Sequence, residues 1–217
     1  MARAVLFDVD GVLIHSMFHP DPSRCRRWDL HLKEDMGISP EDFQAFFPQR
    51  NAPVMRGEIS LVEQLADFLP TIGYTGSPLD FIAYWLNTDT QLNHQLIQAI
   101  KLLARNADVE LYLATNQEHL RAFHLWDRLG FSHIFKDMFY AARLGHAKPD
   151  NAYFDAVDRL LGPQDQPPLF FDDTKKVVEA AIAHGWDACL FDVTADFTSH
   201  PWVMDRIADK ISFPRNS

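Results

Sequence analysis

The sequence has little cysteine: of its 217 residues only Cys25 and Cys189 are thiols, and neither sits in a C-x-x-C pair. A cysteine-framed zinc site therefore has no support, and the chain reads as a reduced protein whose thiols are packed or incidental. It also lacks an apolar leader, because Asp8 and Asp10 interrupt the first apolar stretch. No apolar run approaches the ~20 residues of a membrane span. These absences predict a soluble cytoplasmic protein with no membrane partner. Basic charge is scarce too. With 20 Lys and Arg against 30 Asp and Glu, the net charge is -10 and the pI about 5.3, which argues against nucleic acid as a partner. Small anionic substrates stay open, since one metal ion or lysine inverts the field locally. Internal repeats and low-complexity segments are absent as well.

What is present is ordinary globular material. Hydrophobic residues make up 47% and charged residues 23%, enough for a core in one large domain or a domain with an insertion. In the second half, short apolar runs alternate with amphipathic ones. Asp108–Thr115 (DVELYLAT), PPLFFDD and DACLFDV read as strands. QEHLRAFHLWDRLG, PDNAYFDAVDRLLG and TKKVVEAAIAHG read as helices stopped by Gly130, Gly162 and Gly185. Leu120, Phe123, His124 and Trp126 or Asp127 would form the apolar face of the first helix, and Thr174 would cap the third. Alternating strands and helices predict an α/β fold with a parallel sheet. Between about Ser16 and Asn87 the pattern turns wholly helical, with an S-x-x-E capping box at Ser60 and Glu63. The expected division is thus a discontinuous α/β core, residues 1–15 and 88–217, and an inserted helical domain, 16–87. In the tail, Phe197, Trp202, Ile207, Ile211 and Phe213 would pack on the core.

The opening stretch, AVLFDVDGV, ends a strand of buried type in two aspartates. An unpaired buried carboxylate costs several kcal/mol, roughly, so something must compensate them. Ligands of parallel α/β sheets bind beyond the carboxyl ends of the strands, and the other strand ends supply candidates: Thr115 and Asn116, then Asp172 and Asp173, with Lys148 in G-H-A-K-P at a helix start. Such a set of oxygen donors suits Mg²⁺ with substrate phosphate oxygens. Lys148 can neutralise further charge. Thr115, with N–H groups at the helix start behind it, can hold phosphate oxygens. An aspartate can attack phosphorus to form an aspartyl-phosphate, and a second carboxyl two residues on can protonate the leaving oxygen and then activate water.

The four segments, D-x-D-G after the first strand, a strand ending in Thr, K-P, and D-D after an apolar strand, together resemble the haloacid dehalogenase (HAD) superfamily from Ala4 to about Asp192. The resemblance implies a Rossmann-like core and, from the place of the insertion, a C1-type helical cap of subfamily I. It implies Asp8 as nucleophile, Asp10 as general acid/base, and Thr115 and Lys148, assisted by Asn116, as phosphoryl-binding groups. Mg²⁺ would be held by Asp8, Asp173 and the backbone carbonyl of Asp10, with Asp172 as a further acidic contact. The function implied is a Mg²⁺-dependent phosphatase of a small phosphorylated metabolite. The R-G-E-I-S element in the insertion and the F-F-D-D strand are similar to the branch with sugar-phosphate phosphatases and the phosphatase domain of soluble epoxide hydrolases. Two departures stand out: Val177 stands where many relatives carry Asn or Asp, and His15 where Asp is common. Arg56, Phe18 and His19 are candidates for substrate contact. Lys175 and Lys176 read as a solvated face, and His119 and His124, five apart, share no helical face for a metal. The alternatives are a sugar phosphomutase, a 2-haloacid dehalogenase, whose relatives lack the second aspartate of D-x-D, and a non-catalytic binding protein on the same fold.

Overall fold

A computed structural model describes residues 2–19 and 21–208. Five strands, β1 (Arg3–Phe7), β2 (Val109–Thr115), β3 (Asp137–Tyr140), β4 (Leu169–Asp172) and β5 (Asp187–Leu190), form one sheet in the order β3-β2-β1-β4-β5. Every pairing is parallel. Strands β1 and β4 are buried throughout, as expected of a sheet covered on both faces. The odd side chains of β1, Val5 and Phe7, join Leu113, Phe171 and Phe197 in one layer. The even ones, Ala4 and Leu6, join Tyr112, Phe170, Tyr153 and Phe154 in the other. Phe7 pairs with both Leu113 and Phe171, so the carboxyl ends of β1, β2 and β4 are level. The strand order turns back at β1, which is where such sheets place their ligand crevice.

Between β1 and β2 lie α1 (Leu32–Met36), α2 (Pro40–Gln44), α3 (Phe46–Met55), α4 (Leu61–Phe68), α5 (Pro78–Thr88) and α6 (His94–Leu103). Helices α1 to α5 gather around their own cluster, in which Phe43 stacks against Phe46 and meets Phe81 with ring centres 4.6 Å apart. The capping box at Ser60 and Glu63 forms in both directions. The segments into and out of this region run side by side, Ile14 pairing with Leu92 and the His15 N–H donating to Gln91 O at 2.9 Å. Helix α6 instead packs on the sheet layer through Leu96, Ile97 and Ile100.

After β2 come α7 (His119–Phe123) and a π-helical turn, His124–Arg128. The expected apolar face of this helix is wrong. Leu120 and Phe123 are exposed, while Arg121, Ala122 and Leu125 are buried. Arg121 is tolerated inside because carboxylates meet it; the π turn shifts the helical phase only from His124 onward. Beyond β3 run α8 (Ala141–Leu144), α9 (Asn151–Leu161), α10 (Lys175–His184), α11 (Thr194–Thr198) and α12 (Pro201–Ile207). Thr174 holds the N-cap position of α10 without a side-chain cap bond; its hydroxyl reaches Asp173 instead, at 3.2 Å. Lys175 and Lys176 are exposed and Val177 is buried in the second layer. Phe197 and Ile207 are buried on the first, with Trp202 against it; Ile211 and Phe213 lie outside the described residues. Both cysteines are unpaired thiols, and no described helix is long and apolar enough to cross a membrane.

Candidate active site

Register brings the strand-end residues together. Asp8 follows β1, and its N–H donates to Phe171 O at 2.9 Å. Asp172 ends β4, and Asp173 follows it. Carboxylate oxygens of Asp8, Asp172 and Asp173 lie within 4.8 Å of one another. Three such charges without a cation would repel and resist burial. One cation is present: Lys148 Nζ lies 2.6 Å from Asp172 Oδ2, 3.0 Å from Asp8 Oδ1 and 2.8 Å from Ala114 O. Its side chain is 1% exposed, so its charge is held by these contacts rather than by water. Asn116 fixes Lys148 from behind, its amide donating to Lys148 O at 3.0 Å and accepting from Lys148 N at 2.9 Å. The side chain of Asn116 is thus directed to the main chain of Lys148.

Burial pushes the Asp8 carboxyl up to about 7; Lys148 opposes this, and Asp172, Asp173 and Asp10 add to it. Asp173 is pushed up to about 6, by burial and then by Asp172. Both carboxyls would ionise readily beside a further cation. Gly11, at φ +83°, makes the close approach possible: a Cβ there would stand 1.9 Å from Asp173 Oδ2. Only glycine accepts both that backbone conformation and that neighbour.

Asp10 lies beside this cluster with its side chain directed elsewhere. Arg121 donates to both its oxygens, at 2.6 and 2.7 Å, and Gln117 donates to Oδ2 at 2.6 Å. Burial works to raise Asp10, but the charge and hydrogen bonds of Arg121 and the bond from Gln117 outweigh it and hold the carboxyl below its ordinary range. Arg121 also pairs with Asp89 at 2.9 Å, at the exit from the helical region. Arg121, Gln117 and Asp89 were not foreseen from sequence; an arginine within an amphipathic helix carries no sign that it turns inward.

Thr115 is 1% exposed at the end of β2, 3.3 Å from Gln117 Nε2. The cap of α7 belongs to Glu118, whose carboxylate accepts the N–H groups of Leu120 and Arg121. Those two donors are therefore not available to a phosphate. Among the other expected contacts, Arg56 pairs with Glu58 at 2.6 Å on the surface. His19 lies 3.2 Å from Asp192, and Phe18 is 68% exposed at the cleft mouth. His15 lines the cavity between the helical region and the sheet edge. A second group with ligand-type atoms, Asp187, Cys189 and His200, sits at β5. There Arg3 already takes Asp187, at 2.6 Å, and burial pushes the Cys189 thiol up to about 11.

The fold is shared with solved structures. A HAD family enzyme from Bacteroides thetaiotaomicron superposes with a TM-score of 0.71 at 18% identity, over 91% of this chain and 97% of that one. The same enzyme has been solved with magnesium and inorganic phosphate, at TM-score 0.67, 19% identity and coverage of 88% and 94%. An L-2-haloacid dehalogenase from Xanthobacter autotrophicus matches at 0.62 and 17% identity, over 94% and 86%. No curated protein matches the sequence. The family model for haloacid dehalogenase-like hydrolases matches residues 2–185. The chain belongs to the haloacid dehalogenase-like hydrolase family.

Proposed function

We propose that this hydrolase is a Mg²⁺-dependent phosphatase acting on a small phosphomonoester through an aspartyl-phosphate on Asp8. The observation that carries the reading is the convergence of Asp8, Asp172 and Asp173 on one another, with a single buried ammonium, Lys148, pairing with the first two. Three carboxylates exceed what one lysine neutralises. The donor set, all hard oxygen, fits Mg²⁺. Asp8 and Asp173 would hold the ion with the carbonyl of Asp10, and Asp172 would reach it or hold Lys148. Bound there, Mg²⁺ supplies charge neutralisation to the carboxylates and to a phosphate oxygen. A carbon–halogen hydrolase needs no such cation; Asp172 would still hold Lys148 there, but Asp173 would have no task. The magnesium and phosphate in the Bacteroides enzyme support the same reading.

In this reading the core is 1–15 and 88–217 and the cap 16–87. Asp8 attacks phosphorus, while Lys148 and Thr115 orient the transferring group and Asn116 positions Lys148. Asp10 protonates the leaving oxygen and later takes a proton from water. For the first task one of its bonds to Arg121 or Gln117 gives way to the substrate oxygen. The arriving phosphate, a like charge, raises its proton affinity. Activity is tested with para-nitrophenyl phosphate. Release of phosphate in Mg²⁺ is expected, with loss in EDTA and a fall of at least ~10³-fold in Asp8→Asn. Metal-independent release, or full activity in Asp8→Asn, would overturn the reading.

A further inference from the structure

A cavity of about 190 Å³ separates the helical region from the sheet edge. Its lining is dominated by Trp28, Phe43, Phe46, Met55, Leu65 and Trp85. Its polar lining is mostly engaged already: Asp10, Gln117, Asp89 and Arg121 bond to one another, Glu118 caps α7 and Asn116 holds Lys148, while His15, Ser16 and Asn51 also face it. The reaction cleft beside it is polar, lined by Asp8, Thr115, Asp173 and Thr174. The two spaces share Asp10, Ser16, Phe18 and Asn116 as walls. A phosphoryl group against Asp8 therefore directs its ester oxygen past Asp10 toward the apolar space.

Size and chemistry then restrict the alcohol. An apolar cavity of ~150 Å³ accepts a benzene ring, so a space of about 190 Å³ accepts a ring with a short linker. A polyol entering it would meet mainly aromatic and aliphatic walls, with His15, Ser16 and Asn51 as its few further polar partners, and each hydroxyl left unpaired costs ~1–3 kcal/mol. We infer that the substrate is a phosphomonoester of a compact apolar alcohol, of the size of a phenylalkyl group, with its hydrocarbon part in the Trp28–Phe43–Trp85 cavity. The inference rests on the phosphatase reading and narrows it away from sugar phosphates.

The test compares 2-phenylethyl phosphate with glucose 6-phosphate, both esters of primary alcohols, so that leaving-group reactivity does not decide the outcome. The expected result is a kcat/KM at least tenfold higher for the phenylethyl ester, reduced at least fivefold by Met55→Lys. A readout independent of turnover accompanies it. In methyl-labelled protein, 2-phenylethanol is expected to shift the ε-methyl signals of Met17 and Met55, which line the cavity, and to leave that of Met204, on α12, unmoved. Equal or better turnover of glucose 6-phosphate overturns the inference and leaves the phosphatase reading standing. Unmoved Met17 and Met55 signals at saturating alcohol overturn it too. No phosphate from either ester while para-nitrophenyl phosphate is hydrolysed overturns the inference alone; no phosphate from any of the three overturns the phosphatase reading, and the substrate class with it.

Discussion

The sheet edge and the helical region solve different problems with different materials. At the sheet edge, side chains are placed by backbone register: Asp8, Thr115 and Asp172 stand at or just beyond level strand ends, and each is held by charge or hydrogen bonds. In the helical region, short helices are placed by ring against ring. Phe43 alone touches Trp28, Phe46, Phe47, Phe68 and Phe81. The first arrangement fixes a charged cluster, the candidate reaction centre; the second encloses an apolar volume. Disturbing the first should cost chemistry and charge balance, and disturbing the second should cost packing and substrate fit.

The largest stability effect should follow from Lys148→Met. It leaves Asp8 and Asp172 buried without their cation, at a cost of ~3–5 kcal/mol, a large part of a typical domain's ~5–15 kcal/mol. Urea unfolding at pH 7.5 without metal measures it. A loss below about 1 kcal/mol would mean that water or rearrangement solvates the cluster.

Next comes the pH dependence of the metal-free protein. Asp8 and Asp173 are raised to about 7 and about 6, above the ordinary carboxyl value near 3.9 of an unfolded chain. Between these values the folded state binds more protons than the unfolded one, so stability falls as pH rises from about 4 through 7. Mg²⁺ binds the ionised form. Its stabilising shift in Tm should therefore grow from pH 5 to pH 8, as scanning calorimetry at both pH values would show. A shift independent of pH would dissociate the metal from these carboxyls.

Gly11→Ala probes the same edge through geometry alone. The added Cβ displaces Asp173, and Mg²⁺ affinity should fall at least ~10-fold in a calorimetric titration. The smallest effect belongs to the helical region: Ser60→Ala removes one half of the capping box, at about 1 kcal/mol, with kcat unchanged because Ser60 touches no part of the reaction centre. A loss of kcat there would mean that the helical region contributes more to the chemistry than an enclosing wall.

These contrasts also explain what could be read from the chain. The placement of Asp8, Asp172 and Thr115 at one edge was legible because a buried parallel strand is a short apolar run and polar residues mark its end. Lys148 was legible from its place before Pro149 within an ordered set of motifs. Arg121 was not, since its inward turn depends on Asp10 and Asp89, which reach it from distant parts of the chain. Strand β3 was missed because DMFY is four residues long with a charged first member. The apolar cavity was out of reach for a deeper reason. Its apolar walls come from residues scattered between Met17 and Trp85, and apolar residues that line a cavity look in sequence like those that fill a core.

The central claim is a phosphoryl group carried by Asp8. The most direct measurement uses Asp10→Ala with para-nitrophenyl phosphate and Mg²⁺, quenched in acid and analysed by peptide mass. The nitrophenolate leaves without help from a general acid, whereas water attack needs the missing base, so the adduct should accumulate. The account requires the mass of one phosphoryl group on the peptide containing Asp8, absent when Asp8→Asn is added and absent without Mg²⁺. Nitrophenolate release with no adduct, or an adduct on another residue, would contradict it.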